Sequence, residues 1–137
     1  MKIKYIFFAI IFINLPAQAK NLDGKVVSVY DGDTFRIIPK NLPNYMGDSI
    51  PVRIIGIDAP EMRGRCTQEK ERAIAARNVL MGLISARDVT LVDVQRDKYF
   101  RLLASVKVNG FDVAEQLLKS GYVVKYEGKK RGDWCGK

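Results

Sequence analysis

Between Pro51 and Glu61 the chain reads Pro-Val-Arg-Ile-Ile-Gly-Ile-Asp-Ala-Pro-Glu, an apolar run that a fold must bury as a strand. Arg53 lies inside that run, flanked by Val52, Ile54 and Ile55. A charge seldom sits in such surroundings unless it is paired or meets a ligand. The same strand leads out to Asp58 and, beyond Pro60, to Glu61, so a cation and two anions are delivered to one strand end. Side chains alternate across a strand, and Arg53 and Asp58 stand an odd number of residues apart, so a regular strand points them to opposite sides. They address one ligand only if the strand bends. Glycine within a strand often marks a bulge or a tight bend, and a break or strong twist is expected near Gly56 or Ile57.

The elements around this segment limit the topology. Gly24 to Tyr30 alternates apolar and polar residues, Asp31-Gly32 is a hairpin turn signal, and Asp33 to Pro39 returns through Phe35, Ile37 and Ile38. Asn41 to Ser49 reads as a loop and Ile50 to Ile57 as the third strand. Thr67 is the expected cap of a helix reaching about Ile84, with Ala73, Ala76, Leu80 and Ile84 on one face. Its charges, Glu69, Lys70, Glu71, Arg72 and Arg77, read as a solvated surface. Val89 to Val94 and Arg101 to Val108 are the fourth and fifth strands. Asp112 and Glu115 form a capping box for a short helix ending near Ser120, with Gly121 as its C-cap. The predicted fold class is β-rich α+β: a five-stranded OB-fold barrel with a helix between strands 3 and 4 and a short C-terminal helix. A small α+β sheet of another topology is the competitor, and fold alone does not establish function.

Residues 1–19 read as a secretory signal peptide. Lys2 and Lys4 precede an apolar run from Tyr5 to Leu15, and Ala17-Gln18-Ala19 is the cleavage signature. The run is short for a membrane span of about 20 residues, so an uncleaved anchor is the lesser reading. The mature domain is then 20–137, an exported protein of periplasm or medium, with no stable membrane association after cleavage. The formal charge falls from +8 to +6 as Lys2 and Lys4 leave, a basic balance that suits polyanions. The chain has no histidine, which excludes imidazole-based triads and histidine-ligated zinc. Acid–base chemistry falls to carboxylates, Lys, Tyr or water, and a metal would be held by oxygen, with Ca²⁺ or Mg²⁺ first. Cys66 and Cys135 are the only cysteines, and in an exported chain they read as one disulfide, with two free thiols as the alternative.

Three segments stand out: Asp31-Gly32-Asp33-Thr34, Arg53 to Glu61, and Asp97-Lys98-Tyr99-Phe100-Arg101. Singly, each has an ordinary structural reading as a turn, a paired strand arginine or a solvated loop. Together, in this order and spacing, they resemble the staphylococcal (micrococcal) nuclease family, over about Val26 to Val124. The ending from Tyr126 to Cys135 is similar to a short, cysteine-closed branch of it. The resemblance implies that Asp33 and Asp58 are carboxylate ligands of one Ca²⁺, with the Ala59 carbonyl, water and substrate phosphate completing the set. Where the family often has threonine, Ala59 serves equally, since the ligand is backbone. It implies that Glu61 positions or deprotonates the attacking water and that Arg53 and Arg101 hold phosphate oxygens, for which forked guanidinium donors are well shaped. It implies that Lys98 and Tyr99 contact the nucleotide, and Tyr99, Tyr122 and Tyr126 are candidate residues for stacking on bases. Phe100 departs from the pattern, standing where the family usually has glycine; a positive φ there strains a phenylalanine and puts the loop carrying Arg101 in question. The activity implied is calcium-dependent hydrolysis of DNA and RNA with low sequence specificity, single strands favoured, cutting the 5′-O bond to leave 3′-phosphates. A monomer is expected. A non-catalytic nucleic-acid-binding OB-fold module is the alternative, and a protein of anionic membrane surfaces a third reading resting on charge alone.

Overall fold

β-branched and aromatic residues at alternating positions drive the strands, and their inward faces make the core. The computed structural model describes residues 21–42 and 49–136. The signal-peptide reading, and most of the loop expected at Asn41 to Ser49, lie outside the described residues. In chain order the elements are β1 (Leu22–Val29), β2 (Thr34–Pro39), β3 (Ile50–Ile54), β4 (Ile57–Asp58), α1 (Thr67–Ile84), β5 (Asp88–Arg96), β6 (Leu102–Val108), β7 (Phe111–Asp112), α2 (Val113–Ser120) and β8 (Val124–Lys125). The main sheet runs β3-β2-β1-β5-β6, and β3 closes it by pairing in parallel with β6. Closure removes the exposed edges a five-stranded sheet otherwise presents. β7 adds to β6, and β4 pairs separately with β8. This is the expected OB-fold barrel, with α1 between the third and fourth barrel strands.

Phe35, Ile37, Val52, Ile54, Leu91 and Val106 fill the barrel interior, and Ala76, Leu80 and Ile84 of α1 with Val113 and Leu117 of α2 join the same core. Each large side chain so buried contributes about 1.5–3 kcal/mol. α2 starts and stops as read: Asp112 accepts from the Glu115 N–H at 3.2 Å, and Gly121 takes φ 75°.

The third strand is shorter than its apolar run. β3 ends at Ile54, a turn covers Ile55 and Gly56 with Gly56 at φ 84°, and the chain resumes as β4. That is the break the Arg53–Asp58 parity demands. Arg53 Nη2 and Asp58 Oδ1 consequently lie 3.5 Å apart.

Two local expectations are corrected. Thr67 is inside α1, and the N-cap is Cys66, extended at φ −139°, whose sulfur accepts from the Glu69 N–H at 3.3 Å. Glu69 is not part of the solvated face but 4% exposed, because its carboxylate turns back to the preceding loop and accepts from the Arg65 N–H at 2.8 Å. The Asp31-Gly32 turn joins antiparallel β1 and β2 as expected, without a positive φ at Gly32. Asp31 Oδ1 accepts from the Asp33 N–H at 3.0 Å, and the Tyr30 N–H reaches the Thr34 carbonyl at 2.9 Å. Gly32 is needed for close approach instead: a Cβ there meets the Ala76 Cβ at 2.6 Å and the Ala59 Cβ at 2.9 Å.

Candidate active site

Barrel register gathers the charged residues. β2 pairs with β3 so that Thr34 stands opposite Arg53, and β3 pairs with β6 so that Arg53 stands opposite Leu103. The turn carrying Asp33, the end of β3 and the loop entering β6 therefore meet. There they border an open cleft of about 700 Å³, lined among others by Asp33, Arg53, Glu61, Tyr99, Arg101 and Arg131.

Asp33 and Asp58 are both buried. Asp33 is ion-paired with Arg53 through Oδ1, which also accepts from the Thr34 hydroxyl at 2.9 Å, while Oδ2 accepts from the Ala59 N–H at 2.9 Å. Ala59 thus has its amide on Asp33 and lies beside Asp58. Arg53 also donates to the Ile57 carbonyl at 3.3 Å. Burial works against its charge, but Asp33, Asp58 and Asp31 together outweigh it and hold the guanidinium pKa above its ordinary value. Asp31 shows the opposite balance. Burial, and then repulsion from Asp33, push its carboxyl up to about 7. Carboxylate oxygens are the donors a hard cation prefers, so Asp33 and Asp58 fit Ca²⁺ in donor chemistry, although each is paired with arginine here.

The loop before β6 is organised by Asp97. Its Oδ1 accepts from the Tyr99 and Arg101 N–H groups at 2.8 and 2.9 Å, and its Oδ2 from Arg101 Nε at 2.8 Å. Burial of Asp97 opposes its charge, but these donors from Arg101 and Tyr99 prevail and lower its pKa. Phe100 takes φ 62° and is 75% exposed, so the left-handed conformation is present where phenylalanine replaces glycine. Arg101 still faces the cleft, with its guanidinium carbon 5.5 Å from the Tyr99 ring centre. Lys98 stacks on the same ring at 5.1 Å. Tyr126 enters the cleft from the end of β8, its N–H on the Gly56 carbonyl at 2.9 Å.

Two participants were not legible in the sequence. Arg131 pairs with Glu61 through Nη1 and with Asp58 Oδ1 through Nε at 3.0 Å, while the Gly132 N–H meets Asp58 Oδ2 at 3.0 Å. Burial lowers the Arg131 pKa, but hydrogen bonding to Glu61 and the Asp58 charge prevail and raise it. The tail is brought here by the Cys66–Cys135 disulfide, with Cα atoms 5.9 Å apart. The one available signal was that pairing: it anchors the basic tail five residues after Glu61.

The pattern of a staphylococcal nuclease homologue matches residues 51–133. The chain is similar to a probable endonuclease, LCL3, of Podospora anserina, 33% identical over 139 residues that cover 85% of this chain and 50% of that protein. A probable endonuclease of Schizosaccharomyces pombe is 29% identical, over 85% of this chain and 60% of its own length. An uncharacterized endonuclease of Escherichia coli O157:H7 is 26% identical, over 90% and 74%. The chain spans about half the length of the first of these relatives.

Proposed function

The chain belongs to the staphylococcal nuclease family, and on that premise we propose that it is a calcium-dependent nuclease that hydrolyses phosphodiester bonds of DNA and RNA with low sequence specificity. The observation that carries this reading is the convergence of Asp33 and Glu61 with Arg53 and Arg101 on one cleft, with buried Asp58 behind it 3.5 Å from Arg53. A phosphodiester repels an incoming oxygen nucleophile, and preorganised positive charge around phosphorus is the principal remedy. Arg53 and Arg101 provide two forked donors for phosphate oxygens. Asp33 and Asp58, with the Ala59 carbonyl, would hold one Ca²⁺, which when bound adds divalent charge beside the phosphate.

Glu61 is half exposed at the cleft and oriented by Arg131. In this reading it takes a proton from water as the water oxygen bonds to phosphorus and the P–O5′ bond breaks. The 5′ oxygen takes a proton from solvent, and the other fragment keeps a 3′-phosphate. Such a base contributes about two to four powers of ten. Lys98, Tyr99 and Tyr126 offer a cation and aromatic faces to the strand, which favours unstacked single strands. Export to periplasm or medium is supported by the signal-like residues 1–19 and suits the disulfide; no described helix is long and apolar enough to cross a membrane. We take the working unit to be a monomer.

The test is cleavage of single-stranded DNA by the mature protein in Ca²⁺ and in chelator, with analysis of the product ends. Calcium-dependent cutting and 3′-phosphate ends are expected. Complete inactivity in Ca²⁺ with DNA binding intact would leave a nucleic-acid-binding OB-fold module instead. Arg53→Lys is a better probe than Arg53→Ala, since alanine also strands the buried Asp33 carboxylate. The lysine variant should keep its fold and lose most of its rate.

A further inference from the structure

Beside the cleft lies a second hollow whose Arg63 and Lys130 the proposed catalysis leaves unused. It measures about 470 Å³ and is built from the loop Glu61, Arg63, Gly64, Arg65 on one side and the tail from Lys130 to Trp134 on the other. Glu61 and Arg131 line both hollows, so the two are continuous across that pair. The floor is fixed. The Cys66–Cys135 disulfide ties loop to tail, and the Gly136 N–H donates to Gln68 Oε1 at 3.0 Å. Glu69 packs so tightly under Gly64 that a Cβ there meets it at 2.5 Å, and buried Trp134 lies against Gly132 in the same way.

The rim carries an excess of positive charge. Arg63 and Lys130 have no ion-pair or hydrogen-bonding carboxylate among the described residues. Arg65 has only an exposed contact with Asp133 at 3.7 Å, a geometry that contributes little. Unneutralised cations around a rigid, open hollow attract an anion, and the anion must enter from the cleft side or from solvent. We propose that this hollow is a second phosphate subsite, where Arg63 and Lys130 take a backbone phosphate of the polynucleotide strand flanking the one in the cleft. The ligand class is a single-stranded polynucleotide, because the hollow opens into a cleft that presents tyrosines and arginines to one. The inference rests on the nuclease reading for its substrate, yet binding tests it apart from cleavage.

The experiment measures binding of a labelled oligothymidylate to the oxidised mature protein in chelator, across a range of salt. The variants are Arg63→Ala/Lys130→Ala and, as a control of equal charge loss on the exposed face of α1, Lys70→Ala/Arg72→Ala. Each single-strand phosphate contact contributes about 0.7 to the slope of log affinity against log salt. With one phosphate held by the pair, the rim variant should lose about 0.7 of that slope and bind several-fold more weakly, the control markedly less. In Ca²⁺ its loss of kcat/KM should grow with oligonucleotide length. Equal effects of the two variants, or none, would overturn the subsite. So would an unchanged DNA slope with lost binding to vesicles of anionic lipid, which would make the hollow a headgroup site. Absent cleavage with the slope change present would sink the nuclease reading and leave the subsite standing.

Discussion

Phe100 concentrates a conflict at one residue. A non-glycine residue in the left-handed region costs about 1–2 kcal/mol, whereas glycine's greater unfolded-state freedom costs roughly 0.5–1 kcal/mol. The ring is exposed and offers little packing in return. Phe100→Gly is therefore expected to raise Tm by a few degrees and, if the ring stacks on a base, to weaken single-strand binding. A fall in Tm would show that the ring is held by contacts the exposed geometry lacks. The resemblance, which has glycine where Phe100 stands, raised the question of strain, and the structure supplies the positive φ. Arg53 was readable from its surroundings: a charge inside Val52, Ile54 and Ile55 requires a partner, and Asp33 is that partner. Arg131 was not. An arginine in a polar, basic tail has no anomalous surroundings in sequence, and only the folded path of the disulfide reveals what it touches.

At the scale of elements, turns and caps carry the site. Gly32 lets the β1–β2 turn press against Ala59 and Ala76, which keeps α1 close behind the carboxylates. Gly32→Ala should cost about 1–3 kcal/mol by overpacking and displace Asp33, seen as a lower Tm with a larger loss of activity. The loop before β6 depends on one carboxylate. Asp97 is held below its ordinary value of 3.8, so its contribution is complete above that pH and lost as pH falls through the lower folded value. Asp97→Asn should flatten the acid limb of the stability profile and weaken phosphate binding through Arg101; an unchanged limb would mean the loop is held by other contacts. Element types were legible from periodicity, and the break at Gly56 from parity. The close approach at Gly32 and the role of Glu69 were not, because both are decided by tertiary contact. Glycine serves close approach as well as positive φ, and a helix-start glutamate is buried only because Gly64 makes room for it.

For the whole molecule, the site joins residues far apart in the chain, so closing the barrel and closing the disulfide both contribute to it. The disulfide spans a sequence separation of 69, for which chain entropy alone predicts about 4 kcal/mol. Yet the ligands proposed for calcium lie on the β1–β2 turn and on β4, while Arg131 and Gly132, which share Asp58 with them, belong to the tail. The two contributions are therefore separable. Calcium at a hundredfold excess over its dissociation constant should add about 2.7 kcal/mol of stability to the native protein. In Cys66→Ser/Cys135→Ser the baseline Tm should fall, but the rise on adding calcium should persist or grow, because the tail donors no longer compete for Asp58. In Asp58→Asn the rise should disappear while the disulfide stays intact. Thermal unfolding of the three proteins with calcium and with chelator checks this; loss of the calcium response together with the disulfide would place the ion on the tail rather than on the β1–β2 turn and β4.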